Sequence, residues 1–511
     1  MELELKRAEL DTYETGGEVL ATQEETTETI VPDYCPDIAR IIDTDGKVYL
    51  HSREVRDGKA ELDGTVRVTV LYTPDGEAGI RTLEFSIPFH VETDSRLLQG
   101  CQHLTAETET ELLETRMLNP RKVFTRCRLV SRLNGYRKTK LQLCTGLECE
   151  PALCVEKRTD VQNATFLKRV SEKDFTFTDE LHLSPGREGA AEVLNSQLSW
   201  VVSETKIVGS KLIFKGVLSV CVLYRGVDGR CCSTMGELPF SQIMEVDGTA
   251  ETADVSLHLQ ITGCSVQIDG DDPEGRQLAV TVYLHATALL REAQEVTLLT
   301  DLYSTAYETS YEASPLMLTE FCQSMNRRQT VREVLEIGVV AESLLSAYVH
   351  CGAVNVSREG NHTVLRTNAA VKVFYLDEGG VPLMTERSME VACQLEVPED
   401  CRIRARADCT EEVQGSLGDR GIEVRFPVDF SIEAEKQVKK VCISAVKLRM
   451  DAPKETAGTP SLVLRCIGKD ETVWDLAKKH NTTIGAILAA NQLEEEALPY
   501  DKLLLIPRKR A

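Results

Sequence analysis

The chain has 511 residues, 42% of them hydrophobic and 27% charged, and a formal net charge of -23. That length calls for three or four domains rather than one core, and the spread of charge excludes wholesale disorder. The acidic balance, with no long basic stripe, excludes nucleic acid as the main ligand, because a duplex binder needs a basic face to release counterions.

Residues 1–20 alternate charges without an apolar segment and do not read as a secretory signal. No stretch approaches the roughly 18 apolar residues of a membrane-spanning helix. The expected setting is therefore a reducing cytoplasm, in which the 17 cysteines, an odd number, stay free thiols. Cys127, Cys221 and Cys264 stand where a small buried apolar residue would serve.

Three segments then share a pattern of an alternating strand, an aromatic end and an acidic or glycine-rich turn: Leu62 to Glu77, Leu212 to Gly229 and Leu365 to Gly380. Their tyrosines, Tyr72, Tyr224 and Tyr375, are 152 and 151 residues apart. In the first copy Leu62, Gly64, Val66, Val68, Val70 and Tyr72 point one way. Glu61, Asp63, Thr65, Arg67 and Thr69 point the other, the period of a half-buried antiparallel strand. A hairpin turn follows each tyrosine, at Asn119-Pro120, Asp269 to Gly275 and Gly418 to Gly421, flanked by runs such as Val255 to Ile268 and Leu278 to Leu290.

A turn or short helix is expected to open each copy. It falls at Val31 to Ile38 in the first, where Pro32 and Pro36 fix φ and Asp33 and Asp37 cap. In the second, Leu183-Ser184-Pro185 runs into Ala191, Val193 and Leu194; in the third, Val331 and Val334-Leu335 take the place. The reading is mainly β, with antiparallel sandwiches or open barrels at 1–150, 160–310 and 311–450.

Residues 451–461 carry two prolines and no apolar periodicity, and read as a linker freeing the C-terminal segment. From 462 to 508 the pattern is strand, helix, helix, strand. Leu462 to Ile467 is the first strand, and Asp470, Glu471 and Thr472 start a helix with Trp474, Leu476 and Ala477 on its apolar stripe. Lys478, Lys479 and His480 place positive charge in its last turn. Thr482 or Thr483 caps a second helix with Ile484, Ile487 and Leu488 on one face, and Leu503 to Ile506 closes as a strand. Arg508 to Arg510 reads as a solvated tail.

This small α+β (βααβ) segment resembles a LysM module, through Thr472-Val473-Trp474, Leu476-Ala477, Asn491-Gln492-Leu493 and Leu504-Leu505-Ile506-Pro507. With the V-P-D-x-x-P-D-I run at Val31 to Ile38, the whole resembles the SipL-like LysM proteins of clostridial spore formers, whose repeats are SPOCS domains. The resemblance implies a non-catalytic scaffold of spore-coat assembly, in the mother-cell cytoplasm at the forespore surface. It also implies that the LysM module engages a coat-basement scaffold ATPase. The alternative it leaves open is a peptidoglycan-binding wall accessory.

By the same resemblance the ligand groove lies between Gly468, Lys469, Asp470, Glu471 and Thr472 on one side and Leu493, Leu498, Pro499, Tyr500 and Asp501 on the other. Asp470 and Asp501 stand where the family usually has glycine. They put carboxylates where sugar-binding modules keep backbone open, which favours a protein partner. Trp474 reads as core and Asn491 as the end of the second helix.

No catalytic motif is present: no G-x-G-x-x-G, Walker loop, H-E-x-x-H or G-x-S-x-G. Asp269, Asp271 and Asp272 lack calcium-loop spacing. Cys144, Cys149 and Cys154, like Cys393, Cys401 and Cys409, lack zinc spacing. Cys231-Cys232 reads as packing. No enzyme, cofactor or metal is expected.

Overall fold

The structure is a computed structural model that describes residues 2–184, 186–418, 421–454, 460–466, 468, 471–493 and 503–508. A six-strand pattern recurs three times. The first repeat has β1 (Glu4–Ile30), β2 (Ile38–Arg56), β3 (Lys59–Pro74), β4 (Arg81–Asp94), β5 (His103–Asn119) and β6 (Lys122–Glu148). The second has β7 (Val155–His182), β8 (Ala190–Val208), β9 (Lys211–Gly226), β10 (Cys231–Glu245), β11 (Asp254–Ile268) and β12 (Gln277–Ser304). The third has β13 (Tyr307–Leu335), a second strand split into β14 (Ala341–Cys351) and β15 (Asn355–Glu359), then β16 (His362–Asp377) and β17 (Pro382–Leu395). Its fifth strand is split into β18 (Cys401–Asp408) and β19 (Gln414–Gly418), and β20 (Gly421–Pro453) ends it. The second and third sets begin at Val155 and Tyr307, a few residues before the expected 160 and 311.

Within each repeat, strands two, three and four form one antiparallel sheet, and strands five, six and one form another. The two sheets pack face to face. In the first repeat Leu62, Val66, Val68, Val70 and Tyr72 of β3 share one core with Val123, Cys127, Leu129 and Leu133 of β6. Of the two expected architectures the sandwich is the one built.

Close approach explains a recurring glycine. Gly64 lies opposite Phe89, and a Cβ there would sit 2.4 Å from the ring and 2.6 Å from the Tyr49 carbonyl. Gly216 stands in the same relation to Phe240. In the third repeat the pair is Thr367 and Val391, so a smaller partner admits a side chain.

The repeat openings differ from expectation. The charged N-terminal segment, within the expected first domain, is β1, paired along its length with β6. No helix forms at the three expected positions among the described residues, although a single 3-10 turn, Pro151–Leu153, precedes β7. Val331, Val334 and Leu335 lie within β13, because their alternation continues a strand paired with β20. The second opening turns at Ser184, whose carbonyl accepts from the Arg187 N–H (3.1 Å), and Val31 to Ile38 forms the turn of the first. Cys35 N–H donates to the Pro32 carbonyl (2.9 Å), and Arg121 donates to the Val31 and Cys35 carbonyls and to Asp33 and Asp37 (2.8–3.1 Å). One guanidinium from the opposite hairpin thus holds the whole run.

The first and sixth strands of each repeat run to 27 residues or more, past the end of the sandwich. Their overhangs gather in a separate core that draws Leu143, Phe166, Leu299, Leu318 and Ile443 from all three repeats. A second shared core forms where the other sheets meet: Leu71, Leu223 and Phe374, each one residue before its repeat's tyrosine, with Ile80 and Leu194. The expected half-buried strand holds at Glu61, Asp63, Thr65 and Arg67, which stay half-buried or exposed, and fails at its last outward positions. Thr69 is only 2% exposed and Leu71 1%, because the end of the outward face of β3 lies at the junction with the other repeats.

The junctions are cyclic. β4 touches β8, β10 touches β14, and β17 touches β2, so the three repeats close into a ring. Lys372 of the third repeat reaches Asp43 of the first at 3.0 Å, in a pair 16% and 3% exposed. Equivalent positions on the fifth strands carry Glu107, His258 and Arg406, with the Arg406 guanidinium 4.0 Å from Glu107. Identical repeats would put like charges there; these have diverged into opposite ones.

Candidate functional site

The C-terminal module is built as expected: β21 (Leu462–Cys466), α1 (Val473–Lys479), α2 (Ile484–Asn491) and β22 (Leu503–Pro507), with β21 and β22 antiparallel. Thr472 caps α1 in a capping box with Asp475. Of the two candidate caps for α2, Thr483 is the one used, accepting from the Ala486 N–H at 3.1 Å. Asn491 donates to the Ile487 and Leu505 carbonyls and accepts from Leu505 N–H, which ties α2 to β22. Its role is structural, as the sequence indicates.

The module is not free. Its core of Val473, Trp474, Leu476, Ala477, Ile487, Leu504 and Ile506 is completed by Tyr303, from the end of β12. The Tyr303 ring meets Trp474 edge-on at 5.0 Å, and its hydroxyl donates to the Thr482 carbonyl at 2.8 Å. Trp474 Nε1 donates to Asp301 at 2.7 Å, and Lys478 Nζ donates to both oxygens of the same carboxylate at 2.6 and 2.9 Å. Partial burial opposes ionisation of Asp301, but the bonds from Lys478, Trp474 and Tyr311 outweigh it and hold the carboxyl below its usual range. Lys454 bridges Asn481 (2.7 Å) and the Ser304 carbonyl (2.9 Å).

Of the segment read as a linker, 455–459 lie outside the described residues. Residues 451–453 finish β20, and the module's first helix is bonded to the second repeat. Trp474 is core, with a second task that the sequence does not show. No local signal marks Asp301 as its partner, since the two are 173 residues apart.

Of the ten expected groove residues, Lys469, Asp470, Leu498, Pro499, Tyr500 and Asp501 lie outside the described residues. Glu471 turns inward: it pairs with Arg465 and accepts from Gly468 N–H at 3.1 Å. Gly468 and Thr472 are exposed, and Thr472 spends its hydroxyl on the cap. Leu493 packs against the module's core. Away from the repeats, β21 and β22 present Leu464 and Leu503 at 62% and 67% exposure.

None of the 17 cysteines is in a disulfide. Cys127 and Cys264 are buried and Cys221 partly so; burial pushes the Cys127 and Cys221 thiols up to about 11, which makes them packing residues rather than nucleophiles. Asp269 and Asp272 spend their carboxylates on backbone N–H groups of their own turn. Among the described residues no helix is long and apolar enough to cross a membrane.

Comparison with known families now has a geometry to meet. The SipL SPOCS-domain model matches residues 37–115 and 190–269. Those limits span β2 to β5 and β8 to β11, the same four strands of the first two repeats. The LysM-domain model matches residues 467–507. No curated protein and no solved structure matches. SPOCS and LysM are binding domains, and together they mark a sporulation-related chain whose terminal module is of a peptidoglycan-binding class. The chain thus carries two segments that match the SipL SPOCS domain, as a SipL-like protein does, ahead of a C-terminal segment that matches the LysM domain.

Proposed function

We propose that this chain is a non-catalytic scaffold of spore-coat assembly, which holds coat to the forespore surface from the mother-cell cytoplasm. Its LysM module binds a protein partner, the coat-basement scaffold ATPase. The observation that carries this reading is the docking of the module on Asp301 and Tyr303. A partner held by the module is thereby held in a fixed relation to all three repeats, which suits a tether. The recognition face is the loop pair with Lys469 and Asp470 on one side and Leu498 to Asp501 on the other. Glu471 and Leu493 are committed within the module, to Arg465 and to the module core.

The test is co-sedimentation of the purified full chain with the ATPase and, separately, with peptidoglycan sacculi. Binding to the ATPase, weakened at least tenfold by Asp470→Lys in a folded chain, supports the reading. Binding to sacculi alone replaces it with the wall-accessory reading.

A further inference from the structure

The β21–β22 ribbon of the module is apolar on both faces. Val463, Leu504 and Ile506 point inward and pack in the module core. Leu462, Leu464 and Cys466 of β21 point the other way, opposite Pro507, Leu505 and Leu503 of β22. Leu462, Leu464 and Leu503 are 49%, 62% and 67% exposed, and Cys466 is exposed with them. These six side chains form one face without a charged group, on a module whose first helix is bonded to the second repeat. Contiguous exposed apolar faces mark interaction sites. We propose that this face is a contact between two copies of the chain, packed ribbon against ribbon across a twofold axis.

The distribution of charge favours a second copy. Residues 462–511 hold eight Lys and Arg against seven Asp and Glu, a net charge of +1. Residues 1–461 carry -24, and each of the three repeats is net acidic. A net charge of that size keeps the repeats of two molecules apart. The module is where two copies can meet without that repulsion. Arg465, the ribbon's charged residue, lies opposite the buried Leu504 and is paired with Glu471, so it stays off the outer face. A charged segment of another protein finds nothing on this face to pair with.

The composition of the face suits a twofold. Its three rows are Leu462 with Pro507, Leu464 with Leu505, and Cys466 with Leu503. Every row holds a leucine, so the face turned end for end presents an equivalent surface, as an isologous contact needs. Two sheets meet this way in a sandwich, with their apolar faces about 10 Å apart. Size sets the strength. A stable interface buries about 800 Å² on each partner. A ribbon of five residue pairs, about 14 Å long, offers much less, so the contact is weak and reversible.

The test is sedimentation equilibrium of the full chain between about 1 µM and 0.3 mM, the range of a weak contact. A reversible dimer is expected, its fraction rising with concentration. It should also rise with salt, which screens the repulsion between the acidic repeats. Leu464→Asp and, separately, Leu503→Asp should each raise the dimer dissociation constant at least tenfold. Both sites are already exposed, and hydrogen exchange in α1 and α2 checks that the module stays folded. Val340→Asp, at a site 64% exposed in the third repeat, should leave the dimer unchanged. Asp470→Lys should also leave it unchanged, which separates this contact from recognition by the loop pair. A monomer at every concentration, or a dimer that survives both leucine substitutions in a folded chain, would overturn the proposal. A monomer whose binding to the ATPase is lost with Leu464→Asp would assign the face to that partner instead, and would overturn it too.

Discussion

Two carboxylates hold this molecule together in different ways. Asp43 sits on the ring junction, 3% exposed, facing Lys372 from a repeat more than 300 residues away; one of its oxygens has no hydrogen-bond partner, and burial pushes its carboxyl up. Asp301 sits at the module's dock, 21% exposed, with both oxygens bonded to Lys478 and one also to Trp474, and its carboxyl is held low. The first is an ion pair sealed inside apolar packing, where desolvation competes with attraction. The second is a solvent-edged clamp, where attraction wins. The repeats are therefore joined by packing that the ion pair orients. The module is joined by hydrogen bonds that the edge-on contact of Trp474 with Tyr303 supports.

The largest expected effect is Trp474→Ala. It opens a cavity in the module core and removes the clamp's indole, at a cost of about 3–5 kcal/mol. The module should unfold on its own while the repeats keep their melting transition, as read by hydrogen exchange along the chain. A common loss of protection in both would show that the two regions are not separable.

Next comes Asp43→Ala, which leaves the Lys372 ammonium in the ring junction with only the more distant Glu386 carboxylate (3.8 Å) and the Thr44 carbonyl (3.4 Å), at a cost of about 3 kcal/mol. Protection should fall along β2, β16 and β17 and stay intact in the module. Lys372→Met in the same background should recover much of the loss, because the unpaired charge rather than the missing bond carries the cost. Failure of that rescue would mean the pair orients the ring more than it strains it.

Gly64→Ala tests the sandwich itself. A Cβ 2.4 Å from Phe89 and 2.6 Å from a carbonyl must displace backbone, at about 1–3 kcal/mol. Pairing it with Phe89→Val, the arrangement of the third repeat, should restore part of the stability in a thermal melt.

How much of this was legible from residues alone follows the same division. Alternation and the tyrosine spacing exposed the strands and their threefold repetition, since period two and recurrence are local properties. The module's strand–helix–helix–strand order was legible because caps and apolar stripes are local too. What could not be read was every contact between units. Thr69 looked like a solvent-facing residue until Leu71, Leu223 and Phe374 placed three sheets on one core. Residues 451–461 looked like a spacer, because composition reports stiffness and not whether Lys478 will find Asp301. The groove was legible only through resemblance. The inward turn of Glu471 toward Arg465 shows how a side chain assigned to recognition is taken by its own module.

The smallest effect is the pH dependence of docking, and its sign discriminates the two carboxylates. The native Asp301 carboxyl is held below its unfolded value of about 3.9. Its contribution is therefore fully present above pH 4 and is lost as pH falls through the native value. Docking, followed by quenching of the Trp474 emission, should hold constant from neutrality down to about pH 4 and release below it. Trp200, in the second repeat, is removed by Trp200→Phe so that one indole reports. Asp301→Asn should flatten the release, since an amide cannot titrate, and should cost about 1–2 kcal/mol of docking at neutral pH, because Lys478 regains water where it stands half open. The buried pair cannot mimic this. Burial raises the Asp43 carboxyl, so it protonates at a higher pH than Asp301, and any change at the ring junction should begin before the dock releases. If Asp301→Asn releases along the same curve as the parent chain, another group controls the dock and the clamp is not its determinant.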